Sequence, residues 1–566
     1  MSGPESGHFH LDAGNVVPAR GAGVKKPDRV AGIAAVLLIL VAALGFQGSR
    51  GIWEPDEGFY SNVSLGMLSS GDFVTPRLND VPFLDKPPLL YWSTAAGMAM
   101  LGVNEWGARS GQALWFVGTA LLVGWLGGRW WGARTGRIAA LVYATMLVPC
   151  LAANVVTPDT PLAFACALAF CCFWRMEDSP APGRRALWGT ATGAALGLGA
   201  LAKGPAILVL IAPLGLFLLL RRRRSRTPAL WADAGGWAMA VAFFAVALPW
   251  YLFMIARLPG AFAYFVDNQI AGRLINEQYA RNSGWLGGLI VYLPTIFVGT
   301  LPWNLVWLRR TKSPAGALPA RPSRGALRSR SVDLLLLLWV TVPAVVFVAA
   351  SSRLPLYVLP IFAPLALLTA RRLTGPGRLL SSPGRRPWLL FGFAILGIVA
   401  LKAFAATWTS DQDARGVAHL LREAGIGPER RIVTLDVKLN GLRLYGYSRL
   451  EPATEATNPY PFYVAAERLD HLLQRMTRDS RDRWILVDRR KAAEVEQAIE
   501  AAGLRHEPQR VLSSHLTAIA VSAGSLSDAT PAASPHFEPG PPQGTAFRTA
   551  RRCRCQRWSG DSRRRA

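Results

Sequence analysis

The 566-residue chain is 51% hydrophobic and only 17% charged, with a mean hydropathy of +0.24. That balance excludes an ordinary soluble protein and points to a polytopic membrane protein. The formal net charge of +26 raises nucleic acid as a partner, but the Arg residues fall in short clusters between apolar runs, which is a membrane-topology pattern and argues for no nucleic-acid role.

A span needs roughly 20 apolar residues. On that rule the chain reads as an all-α polytopic membrane protein of about eleven transmembrane helices, centred near 39, 118, 146, 167, 193, 212, 246, 297, 342, 362 and 397. Residues 1–29 form a tail, and Val30 to Gly48, which lacks a small-residue cleavage site, reads as an uncleaved first span. With the N-terminus in the cytoplasm, the inner connections carry 27 Lys or Arg and the outer ones 8. The positive-inside rule therefore puts the first long loop, 50–106, and everything after about 408 outside the cytoplasm. In a bacterial inner membrane that is the extracytoplasmic face.

The loop 50–106 opens on "EPDEGFYSNVSLGMLSS", whose apolar spacing suits a short interfacial helix from Asp56. Asp56 and Glu57 at its start serve either as helix caps or as reacting carboxylates. Asp72 in "SSGDF" and Asp80 in "LND" have turn composition and read as backbone-bending groups. Asp85 and Lys86 stand before Pro87-Pro88, whose fixed backbone suits a loop that must hold its shape. Asp159 begins a span after a very short connection and is either a cap or a functional group. Lys203 stands alone between two apolar runs and needs a carboxylate or an anion. Arg273 and Arg353 are isolated outer cations, for which lipid headgroups are the plain alternative partner.

Four cysteines (Cys150, Cys166, Cys171, Cys172) lie in apolar stretches and two (Cys553, Cys555) in the Arg-rich tail, with no zinc or disulfide spacing. Residues 409–521 change character: helical periodicity in "ARGVAHLLREAG" and "KAAEVEQAIEAAG" and strand-like runs in "RRIVTLDV" and "RWILVDRR" predict a small extracytoplasmic α/β domain. The chain from 522 to 566 is Ser, Pro and Gly rich, then Arg rich, and reads as a disordered basic tail.

Together, carboxylates and separated cations on one membrane face suit chemistry on an anionic, membrane-borne substrate. The loop "EPDEGFYSNVSLGMLSSGDFVTPRLNDVPFLDKPPLLYWSTAAGMAMLGVNEWGARS" resembles the first outer loop of bacterial GT-C glycosyltransferases related to the protein O-mannosyltransferases, including the aminoarabinose transferases of lipid A. "NVVTPDTPL", "LAKGPA", "LPWYLFM", "DNQIAGR" and "SSRLPLYVLPIFAPLALL" extend the resemblance in order over about residues 30–370.

The resemblance implies an integral membrane transferase moving a sugar from a polyprenyl-phosphate donor to a lipid, glycan or protein acceptor. By matching positions Asp56 is the base, with Glu57 its neighbour and Asp159 a second acidic member of the site. Lys86, Lys203 and Arg273 are the phosphate binders, with Arg353 a weaker one; Asp85, Tyr60 and Asn268 support them. Two features depart from the family: Phe59 stands where an Arg or His before the Tyr is common, and eleven spans are counted where thirteen are expected of the aminoarabinose transferases. No Asp-x-Asp motif stands in the outer loops, and no cofactor or metal is called for. A transporter or flippase is the alternative, though polar groups gathered at one face and no internal repeat speak against it.

Overall fold

The computed structural model describes residues 26–522 apart from 226–232, 272–281, 283, 285, 309–323, 351, 376–377, 381–385, 409, 411, 456–465 and 480. The tail from 523 onward, and with it Cys553 and Cys555, lies outside the described residues, as does Arg273.

The first helices are α1 (Lys26–Leu44), α2 (Asp56–Ser70), α3 (Leu89–Leu101), α4 (Glu105–Trp131), α5 (Ala133–Ala144), α6 (Leu147–Ala152), α7 (Asp159–Glu177), α8 (Pro182–Lys203), α9 (Ala206–Ser225) and α10 (Ala234–Arg257). They are followed by α11 (Gly287–Gly299), α12 (Arg324–Ala349), α13 (Phe362–Thr374) and α14 (Arg386–Thr407). Each span centre read from the sequence falls on or beside a helix. Among the described residues, five stretches are long and apolar enough to cross a membrane: 105–131, 234–257, 329–349, 355–374 and 387–407. The helical segment near 146 is broken between α5 and α6, where the Thr145 hydroxyl bonds back to the Val142 carbonyl at 3.3 Å and accepts the Trp303 indole N–H at 2.9 Å.

Small residues set the packing of the bundle. In α8, Gly189, Gly193 and Gly197 recur every four residues along one face, against α10. A Cβ at Gly189 would stand 2.1 Å from the Gly235 carbonyl, and one at Gly193 would stand 2.0 Å from that of Met239. The two backbones therefore approach as closely as glycine allows, which replaces the hydrophobic drive that lipid surroundings remove.

Residues 413–522 build an α/β unit with helices α15 (Ala414–Glu423), α16 (Leu469–Arg478) and α17 (Ala492–Ala501). Its strands are β3 (Ile432–Leu435), β4 (Leu450–Thr454), β5 (Glu467–Arg468), β6 (Arg483–Asp488), β7 (Arg505–His506), β8 (Arg510–Val511) and β9 (Leu516–Ser522); the first loop holds only a two-residue pair, β1 (Arg77–Leu78) and β2 (Val81–Pro82). The sheet order is β5-β4-β3-β6-β9-β7, parallel from β5 to β6 and antiparallel at β9, with β8 also on β9. Strands β3 and β6 are buried on both faces, as parallel strands covered by helices are. Apolar residues of α16 and α17 pack on one face and those of α15 on the other.

Candidate active site

The first loop folds as its own small core of Ile52, Tyr60, Val63, Met67, Phe83, Leu90 and Tyr91, closed by Leu444 of the C-terminal unit. Helix α2 begins at Asp56, and because successive helical residues turn by 100°, its two carboxylates diverge. Glu57 points inward and is 1% exposed; Asp56 stays exposed.

Glu57 is saturated with donors. Arg109 of α4 meets it through Nε at 2.9 Å and Nη2 at 2.8 Å, Arg50 donates at 2.8 Å, and the Trp53 and Val156 amides donate at 3.0 Å. Arg109, equally buried, spends its remaining N–H groups on the carbonyls of Gln47, Arg50 and Gly51 at 2.7–2.9 Å. Burial by itself would raise the Glu57 carboxyl; the Arg109 and Arg50 guanidiniums reverse that and bring it down to about 2. The group expected beside the base is thus a structural anion that joins the first loop to α4. Arg109 was not singled out in the sequence, although an Arg near the start of an apolar helix is itself a signal.

Asp56, in contrast, has no hydrogen-bond or ion-pair partner among the described residues. Its charge acts on the Tyr60 hydroxyl, as do those of Asp85 and Asp159. Burial first, and then those carboxylates, push the Tyr60 hydroxyl well above its ordinary range and keep it a hydrogen-bond donor.

Lys86 is buried and Lys203 partly so, each against a carboxylate. Lys86 pairs with Asp85 next to it in sequence, and Lys203, at the last position of α8, pairs with Asp159, at the first position of α7. The Lys203 ammonium also sits 3.9 Å from the centre of the Tyr357 ring. Tyr292 of α11 is 2% exposed, its ring 6.4 Å from that of Phe347. Arg353, 5% exposed, donates to the carbonyls of Asn282 and Gly284 and so holds the segment leading into α11. Asn268 lies on the π-helical turn Tyr264–Ala271. Asp72 accepts the Val74 and Thr75 amides at 3.1 and 3.0 Å, and Asp80 takes a φ of 68°, the turn roles their surroundings suggest.

The C-terminal unit grips the start of α2. The Tyr445 hydroxyl accepts the Ile52 amide at 2.9 Å and donates to Glu105 at 2.8 Å, while Arg415 binds Glu105 and the carbonyls of Gly48 and Ser49. The Glu54 amide donates to the Gln412 carbonyl at 2.8 Å, and its side-chain carboxyl accepts the Gly441 amide. That carboxyl is wedged between two glycines: a Cβ at Gly58 would stand 2.0 Å from it and one at Gly441 2.8 Å. Burial pushes it well above the ordinary carboxylate range, against the opposing pull of the Gly441 and Asn440 amides. Among the described residues no cluster of three or more His, Cys, Asp or Glu could hold a metal.

Residues 30–265 match the family model for dolichyl-phosphate-mannose-protein mannosyltransferases. The undecaprenyl phosphate-α-4-amino-4-deoxy-L-arabinose arabinosyl transferase 2 of Sodalis glossinidius is 30% identical over 70% of this chain and 69% of its own length. That of Pseudomonas fluorescens is 29% identical over 64% of each chain, so the match leaves about a third of that relative uncovered. Among solved structures, ArnT from Cupriavidus metallidurans bound to undecaprenyl phosphate superposes with a TM-score of 0.64 at 20% identity, over 88% of this chain and 98% of that one. Its apo form gives 0.62 at 21% identity, over 87% and 97%. The chain thus shares that fold and belongs to the family of the bacterial undecaprenyl-phosphate aminoarabinosyl transferases, glycosyltransferases of the GT-C type.

Proposed function

We propose that the chain is an integral membrane glycosyltransferase that moves a sugar from a polyprenyl-phosphate donor to an envelope acceptor at the extracytoplasmic face. An undecaprenyl-phosphate-linked aminoarabinose is the donor its relatives' names suggest. An acceptor hydroxyl attacks the anomeric carbon, the bond from that carbon to the phosphate oxygen breaks, and the polyprenyl phosphate leaves. Asp56 takes the hydroxyl proton, a contribution of roughly 10²- to 10⁴-fold. Lys86 and Lys203 exchange their carboxylate partners for the phosphate and stabilise the charge that collects on it. Tyr60 orients the reacting groups, Asp159 and Asp85 hold the lysines in place until the donor arrives, and Glu57 fixes the turn that carries Asp56. Arg273 and Arg353 complete the cationic side.

The observation that carries this reading is the asymmetry among the carboxylates. Glu57, Asp85 and Asp159 are buried with cationic partners, whereas Asp56 is exposed and has none among the described residues. A group that is to accept a proton needs free lone pairs. Eleven spans, a cytoplasmic N-terminus and an extracytoplasmic domain over 409–521 complete the reading, supported by the excess of Lys and Arg on the opposite connections. The test is transfer from a labelled polyprenyl-phosphate sugar by the purified protein in vesicles. Asp56→Asn should abolish it while the protein inserts normally; near-normal transfer overturns the base assignment.

A further inference from the structure

The α/β unit carries a cavity that the transfer chemistry does not use. Strand β3 pairs in parallel with β4 on one side and β6 on the other, and the chain visits β4 first. The order therefore reverses between β3 and β6. In open α/β sheets a crevice at such a reversal, beyond the carboxyl ends of the strands, is where ligands lodge. A cavity of about 900 Å³ lies there, bounded by Asp436 and Lys438 just after β3 and by Asp488 at the end of β6. Its volume falls within the roughly 300–1,000 Å³ of small-molecule sites.

Two features mark it as more than a surface dip. Asp436 takes a left-handed φ of 53°, uncommon for a residue with a side chain and concentrated at functional positions. Its amide donates to the Ala453 carbonyl at 3.0 Å, and its carboxylate is fixed by the Thr454 hydroxyl at 2.7 Å and by Lys491 at 3.3 Å. Second, its lining includes Glu54 and Pro55 together with Trp408, which follows α14. The cavity therefore adjoins the turn that carries Asp56.

Its chemistry selects the ligand. The Asp436 and Asp488 carboxylates stand against Lys438 and disfavour a phosphate, Glu54 being pushed toward its neutral form by burial, and the described residues hold no metal-binding cluster. What remains is a mixture of hydrogen-bonding groups of both kinds, with a Trp408 side chain 60% exposed as an apolar platform. Hydroxylated sugar rings present that combination of polar edge and apolar face. We propose that this cavity binds the saccharide portion of the acceptor, docking it on the α/β unit while a hydroxyl reaches Asp56. The word acceptor here rests on the transferase reading; the binding itself does not.

Gly416 on α15 lines the cavity, and a Cβ there would meet only Asp413, at 3.8 Å or more, so Gly416→Trp fills the space without a clash at its base. The full chain in detergent would be tested by saturation-transfer NMR with a glucosamine disaccharide, maltose and inorganic phosphate. The wild type should give signal with the disaccharides and none with phosphate, and Gly416→Trp and Trp408→Ala should each reduce it at least fivefold. In the transfer assay Gly416→Trp should raise the acceptor KM tenfold or more with donor KM unchanged. Wild-type binding in both variants, phosphate-only binding, or a rise in donor KM alone overturns the proposal. Loss of disaccharide signal in Gly416→Trp, from a wild type that binds the disaccharide but transfers no sugar, would sink the transferase assignment and leave the saccharide site standing.

Discussion

Asp56 and Glu57 are neighbours in sequence with opposite fates, and replacing each by its amide separates them. Glu57→Gln keeps one acceptor oxygen, enough for the Arg109 Nε and Val156 contacts, and sets an NH₂ group against Arg50, the Trp53 amide and Arg109 Nη2. Removing one partner of a buried ion pair costs about 3–5 kcal/mol. A second route agrees: a carboxyl held near 2 instead of 4.5 reports about 3 kcal/mol of favourable interaction. Because the folded pKa is depressed, this stability is fully present above the ordinary carboxylate pKa of 4.5 and is lost as pH falls toward 2. The assay is thermal unfolding of the full chain in detergent, followed by tryptophan fluorescence at pH 7 and again near pH 3. Glu57→Gln should melt well below wild type at pH 7, with the gap narrowing in acid, while Asp56→Asn should melt as wild type at both. Equal melting of Glu57→Gln and wild type at pH 7, or a comparable loss in Asp56→Asn, would refute the reasoning.

Glu54→Gln should be tolerated, since burial pushes that carboxyl toward its neutral form and an amide oxygen still accepts from Gly441. With a raised folded pKa, wild type loses stability as pH climbs above 4.5 and Glu54→Gln does not, so melting curves across pH 5–9 should diverge in the variant's favour. Gly441→Ala places a methyl 2.8 Å from Glu54 and 3.0 Å from the Ala414 Cβ, and should lower stability by about 1–3 kcal/mol by the same melting assay. Tyr445→Phe removes a hydroxyl that bridges Ile52 and Glu105, and transfer assays should show kcat falling several-fold with donor KM unchanged. Lys86→Ala and Lys203→Ala should each raise donor KM at least tenfold; unchanged values in either would remove that lysine from the phosphate site.

Much of the site was legible because isolated charges in apolar surroundings are costly and stand out. Lys203 and Asp159 were visible in that way, but their pairing joins helix ends 44 residues apart, which no local pattern reports. Only the resemblance separated Asp56 from Glu57 in sequence, and it could not report the physical difference, the position of Arg109, 52 residues on. Strands β3 and β6 were readable as short, mainly apolar β-branched and aromatic runs, "IVTL" and "RWILVD". Strand β4, "LEPAT", contains a proline and two polar residues, and β9, "LTAIAVS", is small and weakly patterned; both are defined by pairing with those central strands. Glu54, one of the outer-loop acids, received no role because its burial depends on Gly441, which lies 387 residues further along the chain.

That last separation bears on how the protein comes into being. The turn at residues 52–57 leaves the ribosome early, yet its hydrogen bonds to Gln412, Gly441 and Tyr445 are with residues made near the end. At roughly 5–20 residues per second, the interval is roughly 20–80 seconds. During it the turn lacks those bonds, and with them the frame that sets the direction of Asp56. Competence is thus tied to completion: a nascent or truncated chain holds the reacting groups without the frame that orients them.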